Sequence, residues 1–292
     1  MANWEELPQV ILELIVRRLA MEDFLAVRQV CTSWRTAAAK ETYNAKSKTP
    51  WLMIYTYNQI AKFANPSTGR IYPVQLPGCP GRSLSPPAWI LVSKRLSEYR
   101  LVNPFSHISI ELPTLEKLHQ FHHIHLIALS SSPSLSRSYS VMISYGLSPR
   151  FAFLRSGEDA WTVVNLAKPL HRCSVLQLIY YNGLFVALDA HLVGMHCYID
   201  GDPYLIECSG SLLVAWKIWD EKYGGSVKEI RVFKVDLEKK NEEEFKSFGN
   251  VSLFFNGNSS FSVEFNAESC LPRIKPNRVY YPDYKDKSDE EL

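Results

Sequence analysis

The sequence predicts an α+β chain of two unequal units, a short three-helix segment followed by a mainly antiparallel all-β region, and three observations carry that prediction. The hydrophobic pattern is helical between Leu7 and Lys40 and becomes short and strand-like after Pro50. The 292 residues include 17 Pro, 13 Gly and 12% aromatics, a composition that suits short strands and frequent turns. Asn65-Pro66 followed by Gln75-Leu76-Pro77 returns as Asn103-Pro104 followed by Glu111-Leu112-Pro113, and the Asn-Pro pairs stand 38 positions apart. The units are drawn at 1–48 and 49–284, with a charged tail over 285–292 that lacks aromatics and is expected to be disordered.

The first helix opens around Pro8, whose missing N–H suits a first helical turn, and Ile11, Leu12, Ile15 and Leu19 repeat at helical spacing. Glu13, Arg17 and Arg18 mark its polar side. Asp23 suits the start of a second short helix through Phe24, Leu25 and Val27. A third runs from about Thr32 through the Ala37-Ala38-Ala39 run, with Val30, Trp34 and Ala37 expected as its apolar stripe. Three short helices enclose little apolar area, and a unit this small needs a metal, a disulfide or a partner. The six cysteines are scattered without a Cys-x-x-Cys pair, so a partner is what remains, either the following unit or another protein.

Trp4-Glu5-Glu6-Leu7-Pro8, Ile11-Leu12-Glu13-Leu14-Ile15, Leu19, Asp23-Phe24-Leu25, Val27-Arg28-Gln29-Val30-Cys31 and Ser33-Trp34-Arg35 together resemble the F-box, without a gap, over residues 3 to 40. An F-box docks on a Skp-type adaptor that joins it to a cullin-RING ubiquitin ligase. The resemblance implies that Leu7, Pro8, Ile11, Leu12, Ile15, Leu19, Val30 and Trp34 include the adaptor-facing or docking-core residues. Thr32-Ser33 stands where the pattern often has Lys or Arg before the final Trp, a departure that touches a polar contact at the rim and not the apolar anchor.

In the strand region a repeat of about 40 residues is the mark of propeller blades, because each sheet buries its faces only against its neighbours. The region after residue 50 has room for five or six. Two similar turns in a sandwich or barrel are the alternative reading. Tyr181-Asn182-Gly183-Leu184-Phe185-Val186-Ala187-Leu188, Tyr204-Leu205-Ile206-Glu207, Gly210-Ser211-Leu212-Leu213-Val214, Val232-Phe233-Lys234-Val235-Asp236 and Asn277-Arg278-Val279-Tyr280-Tyr281 look like the plant KIB-type F-box family. In that family an F-box precedes a β-propeller-like, kelch-like domain, and members are regarded as substrate receptors. The chain departs from the family in a shortened connection over 189–203, where a missing strand pair leaves one blade incomplete.

Charge and chemistry narrow the function. Lys+Arg 32 against Asp+Glu 30 gives +2, no basic excess for nucleic acid or an anionic membrane, and no apolar run reaches the length of a span. The acidic amino terminus is not a secretory signal, so the cytoplasm and/or nucleus is expected. His119, His122, His123 and His125 lack a converging third ligand type, and His191, His196 and Cys197 fare no better, so neither a metal nor a cofactor is expected. No Gly-x-Ser-x-Gly elbow or phosphate loop occurs, and Glu238 to Glu244 reads as a solvated loop. The sequence therefore points to a non-catalytic substrate-recognition subunit of a Skp-cullin-F-box ubiquitin ligase, which binds a target protein through the propeller. A scaffold that sequesters a protein outside a ligase is the alternative. One sequence does not identify the target-binding residues.

Overall fold

The computed structural model describes residues 7–19, 23, 27, 30–38, 52–57, 60–65, 69–76, 79–80, 89–95, 97–104, 108–118, 123–133, 136–146, 148–167, 175–189, 201–220, 226–256, 259–265 and 274–281. The expected disordered tail and most of the second helix lie outside them, although Asp23 and Val27 are both helical. Helix α1 spans Gln9–Arg18 and α2 spans Thr32–Ala37. Pro8 caps α1 from outside with ψ 138, and its carbonyl accepts the amides of Ile11 and Leu12 at 2.9 and 3.2 Å. Leu12, Val16, Ala37 and Ala38 are wholly buried, with Leu7, Leu19, Val27 and Trp34 packed around them.

Two expectations about these helices are corrected. The inward residues of α1 are Leu12 and Val16, while Ile11 points outward at 43% exposure. Val30 is not on the third helix: the chain is extended at Cys31 (φ −159, ψ 179), the helix begins one residue later, and Val30 stands 62% exposed before it.

The remaining elements are strands, and among the described residues they form six sheets. The first contains β1 (Leu52–Tyr57), β2 (Ile60–Ala64) and β3 (Ile71–Gln75); the second β4 (Cys79–Pro80), β5 (Ile90–Arg95), β6 (Glu98–Val102) and β7 (Ser109–Glu111). The third contains β8 (Ile124–Leu129), β9 (Ser140–Tyr145), β10 (Arg150–Arg155) and β11 (Thr162–Val164), and the fourth only β12 (Val175–Tyr181) and β13 (Leu184–Asp189). The fifth contains β14 (Gly201–Cys208), β15 (Ser211–Asp220), β16 (Ser226–Asp236) and β17 (Asn241–Glu244). The sixth orders β19 (Ser259–Glu264) beside β18 (Val251–Asn256), with β20 (Val279–Tyr280) parallel on the far edge.

Period-two alternation lets one sheet serve two cores. In β14, Tyr204, Ile206 and Cys208 pack toward the sixth sheet with Leu253 and Phe255, while Leu205 joins Leu212, Val214 and Trp216 toward Ile179, Val186 and Leu188 of the fourth. Ala61 and Phe63 meet Ile90 and Val92 between the first two sheets, and one cluster runs from Trp89 and Leu101 through Ile143 and Phe151 to Leu178. The sixth sheet returns to the first, where β18 touches β1. Sheets stacked face to face in chain order, the last meeting the first, are the blades of a β-propeller.

The Asn-Pro repeat falls on equivalent turns. Asn65 follows β2 and Asn103 follows β6; in each the Asn amide donates to the carbonyl five residues on, Arg70 and Ile108, at 2.9 Å. Both asparagines are buried, and both repeats end on a buried leucine, Leu76 after β3 and Leu112 after β7. Among the described residues the fourth sheet has two strands, and most of the connection expected to be shortened, 190–200, lies outside them.

The last described segment is clamped by one hydroxyl. Ser252, fully buried, donates to the Lys275 carbonyl at 2.6 Å and accepts the Arg278 amide at 3.3 Å, while Asn277 bonds the Phe248 amide through Oδ1 and the Val251 carbonyl through its own amide. Ser252→Ala strands two part-buried backbone groups and is expected to cost roughly 1 kcal/mol. The check is a lower melting temperature together with faster proteolysis after residue 274; equal cleavage rates would refute the clamp.

Candidate functional site

Helix α1 carries two apolar stripes. Leu12 and Val16 point inward. Val10, Ile11 and Leu14 lie along the other side, 66%, 43% and 48% exposed. Among the described residues the core of the small unit includes none of these three side chains.

The residues expected from the F-box resemblance divide accordingly. Ile11 and Val30 are exposed, and Pro8 is exposed at the cap. Leu12 is buried in the unit's own core, where it holds the helix. Leu7, Leu19 and Trp34 are half-buried against that core, and Ile15 is half-buried. Val10 and Leu14, which were not among the residues expected to dock, stand beside Ile11 on the same exposed side of α1.

Trp34 belongs to the helical unit: the residues it packs with, Leu12, Val16, Ala37 and Ala38, all come from α1 and the end of α2. Trp34→Ala is expected to destabilise this unit by about 2–3 kcal/mol, below the range for a fully buried Trp. Calorimetry of the full chain should show an unmoved transition for the sheets and weaker adaptor capture; a lowered sheet transition would place Trp34 in an interdomain core.

Elsewhere the titratable groups are structural. The His123 and His125 rings meet edge to face at 5.2 Å, and His125 Nε2 donates to the Gly146 carbonyl at 2.7 Å. Among the described residues no three His, Cys, Asp or Glu side chains come together as a metal site, and His119, His122, His191, His196 and Cys197 lie outside them. The charge run closes a hairpin: Asp236 Oδ1 accepts the amides of Glu238 and Lys239 at 3.0 Å each. The Lys239 amide first, then its ammonium, holds the Asp236 carboxyl below its usual range. Burial pushes the Cys208 thiol up, which keeps it protonated and a poor nucleophile. Among the described residues no helix is long and apolar enough to cross a membrane.

Comparison with known proteins agrees with both halves of this geometry. Residues 4–44 match the F-box-like family model, and residues 63–291 match the model described as KIB1-4 beta-propeller. The F-box/kelch-repeat protein At1g57790 of Arabidopsis thaliana is 27% identical over 96% of this chain and 83% of its own length. The F-box/kelch-repeat protein KIB1 of the same plant is 27% identical over 68% of this chain and 54% of its own length. The F-box protein At1g10110 is 34% identical over 39% of this chain and 29% of its own length. With an F-box-like match over residues 4–44 ahead of a beta-propeller match that covers most of the remaining residues, the chain belongs to the KIB1-4 beta-propeller family of F-box proteins.

Proposed function

We propose that this chain is the target-recognition subunit of a Skp-cullin-F-box ubiquitin ligase, acting in the cytoplasm or nucleus. In this reading α1 and Val30 dock on a Skp-type adaptor, the propeller holds a target protein, and other subunits transfer ubiquitin to it, leading to its degradation. The chain itself is non-catalytic. The observation that carries the reading is the outward stripe of Val10, Ile11 and Leu14. Fully burying one such side chain is worth about 1.5–3 kcal/mol, so three of them supply a docking energy that the helical unit cannot realise alone. The names of the relatives, F-box and F-box/kelch-repeat proteins, support the same role.

The test is reconstitution of the full chain with a Skp-type adaptor and a cullin-RING module, followed by ubiquitylation of proteins the propeller retains. The reading requires adaptor capture and target ubiquitylation by the unaltered chain, and loss of both when the stripe is charged. Absence of adaptor binding sinks it. Adaptor binding with target retention but no ubiquitylation favours sequestration.

A further inference from the structure

Two tight turns of the propeller stand side by side. In the fourth sheet Asn182 (φ 46) and Gly183 (φ 86) join β12 to β13, and in the fifth Ser209 (φ 46) and Gly210 (φ 74) join β14 to β15. Both are two-residue hairpins, closed by the pairs Tyr181–Leu184 and Cys208–Ser211, and positive φ at both central positions is what such a turn demands. The Tyr181 hydroxyl donates to the Gly210 carbonyl at 2.9 Å and ties one turn to the other. The backbones match, but the side chains do not: position 182 carries a carboxamide and position 209 a hydroxyl.

That difference is one of reactivity. The backbone nitrogen that follows an asparagine attacks the side-chain carboxamide carbon, and glycine, having no Cβ, hinders the attack least. The Gly183 nitrogen lies outside the ladder, which ends at the Tyr181–Leu184 pair. Asn182, Gly183 and Leu184 are all exposed, and a Cβ at Gly183 would meet no atom beyond its chain neighbours within 4 Å, so the space beside the attacking nitrogen is open. Attack requires Asn182 to leave its turn conformation, which means that the tip of the hairpin opens first, a local event that leaves the rest of the sheet in place. The bond from the Tyr181 hydroxyl to Gly210 resists that opening.

We propose that Asn182 is a site of spontaneous deamidation, gated by the Tyr181 hydroxyl, whose isoaspartate product uncouples the fourth hairpin from the fifth blade. The Gly183 nitrogen bonds to the Asn182 side-chain carbonyl carbon and gives up its proton, the bond from that carbon to the side-chain nitrogen breaks, and ammonia leaves a five-membered succinimide. Water then adds to one of the two ring carbonyl carbons. Breaking the bond from the ring nitrogen to the side-chain carbon gives aspartate; breaking its bond to the main-chain carbon gives isoaspartate. Both products place a carboxylate in the turn, and isoaspartate also runs the main chain through the side chain, which lengthens it by one carbon. A two-residue hairpin has no spare length, so the Tyr181–Leu184 pairing and the bond to Gly210 are lost together. Ser209 has no carboxamide to cyclise, so the fifth hairpin keeps its turn. The inference rests on the hairpin itself and stands whether or not the chain is a target receptor.

The test incubates the full, folded chain at mildly alkaline pH and follows the tryptic peptide 173–217 by mass spectrometry. Asn182 is the sole asparagine in that peptide, so the small mass gain from exchanging NH2 for OH reports it alone. The unaltered chain should gain this mass and release ammonia, with fragmentation placing isoaspartate at 182. Asn182→Gly keeps the positive φ without a carboxamide and should show no gain. Tyr181→Phe removes the bond to Gly210 and should convert at least threefold faster. In the isoaspartate form, separated by chromatography, the ladder amides of Leu184 and Val186 should exchange hydrogen at least tenfold faster than in the unmodified chain. A folded chain that keeps Asn182 intact while the same chain in urea converts would mean that the turn blocks the attack, and it overturns the proposal. Equal rates in the unaltered chain and Tyr181→Phe, or unchanged exchange at Leu184 and Val186 in the isoaspartate form, overturn it as well.

Discussion

Replacing Ile11 and Leu14 together by aspartate is expected to lower adaptor affinity more than a hundredfold, about 2.7 kcal/mol or more, with no change in the melting of the sheets. Both side chains stand outward, 43% and 48% exposed, so in the free chain the change puts carboxylates where water already reaches. In a complex that buries the stripe the same carboxylates are desolvated without partners, which costs several kcal/mol on top of the lost apolar burial. Leu12→Ala makes the contrasting control. It opens a cavity inside the helical unit and acts by unfolding α1, so circular dichroism should separate the two variants. Titration calorimetry against purified adaptor decides the matter, and an affinity within threefold of the unaltered chain would show that the outward stripe is not the docking face.

Phe255→Ala is expected to lower the melting temperature of the sheets by on the order of 10 °C, from a loss of about 3–5 kcal/mol at roughly 2–4 °C per kcal/mol for a unit of this size. Phe255 is fully buried in β18 and stacks on Tyr204 of β14 at 4.4 Å with the rings 7° from parallel, so it joins two blades through their facing sides. Phe254, next along the strand, points the other way and stacks on Phe261 and Tyr280 within its own sheet at 5.1 and 4.9 Å. Loss of Phe255 therefore loosens the fifth sheet from the sixth without disturbing the pairing of β18 with β19. Differential scanning calorimetry measures the shift, with adaptor capture at low temperature retained; a shift under 2 °C would mean that the blades are held together elsewhere.

Local pattern sufficed for much of this protein. Alternation marks strands whatever they pack against, so the region after Pro50 was readable as a succession of short strands. The Asn65 and Asn103 turns were readable as repeats because each is closed by a bond within six residues, Asn65 to Arg70 and Asn103 to Ile108.

Other features belong to the tertiary structure. Helix α1 is apolar at Val10, Ile11, Leu12, Leu14, Ile15 and Val16, and spacing alone allows either side to face inward; the seat of Ala37 and Ala38 against Leu12 and Val16 chooses one and leaves Val10, Ile11 and Leu14 outside. Lys217 reads as a solvent-facing lysine in β15, yet it is buried to 2% exposure with its ammonium 4.6 Å from the ring centroid of Tyr281, a residue 64 positions away. The parallel pairing of β20 with β18 is likewise set by which strands meet. Periodicity records how a segment divides its own faces; which neighbour covers each face depends on contacts between residues far apart in the chain, and no local pattern encodes them.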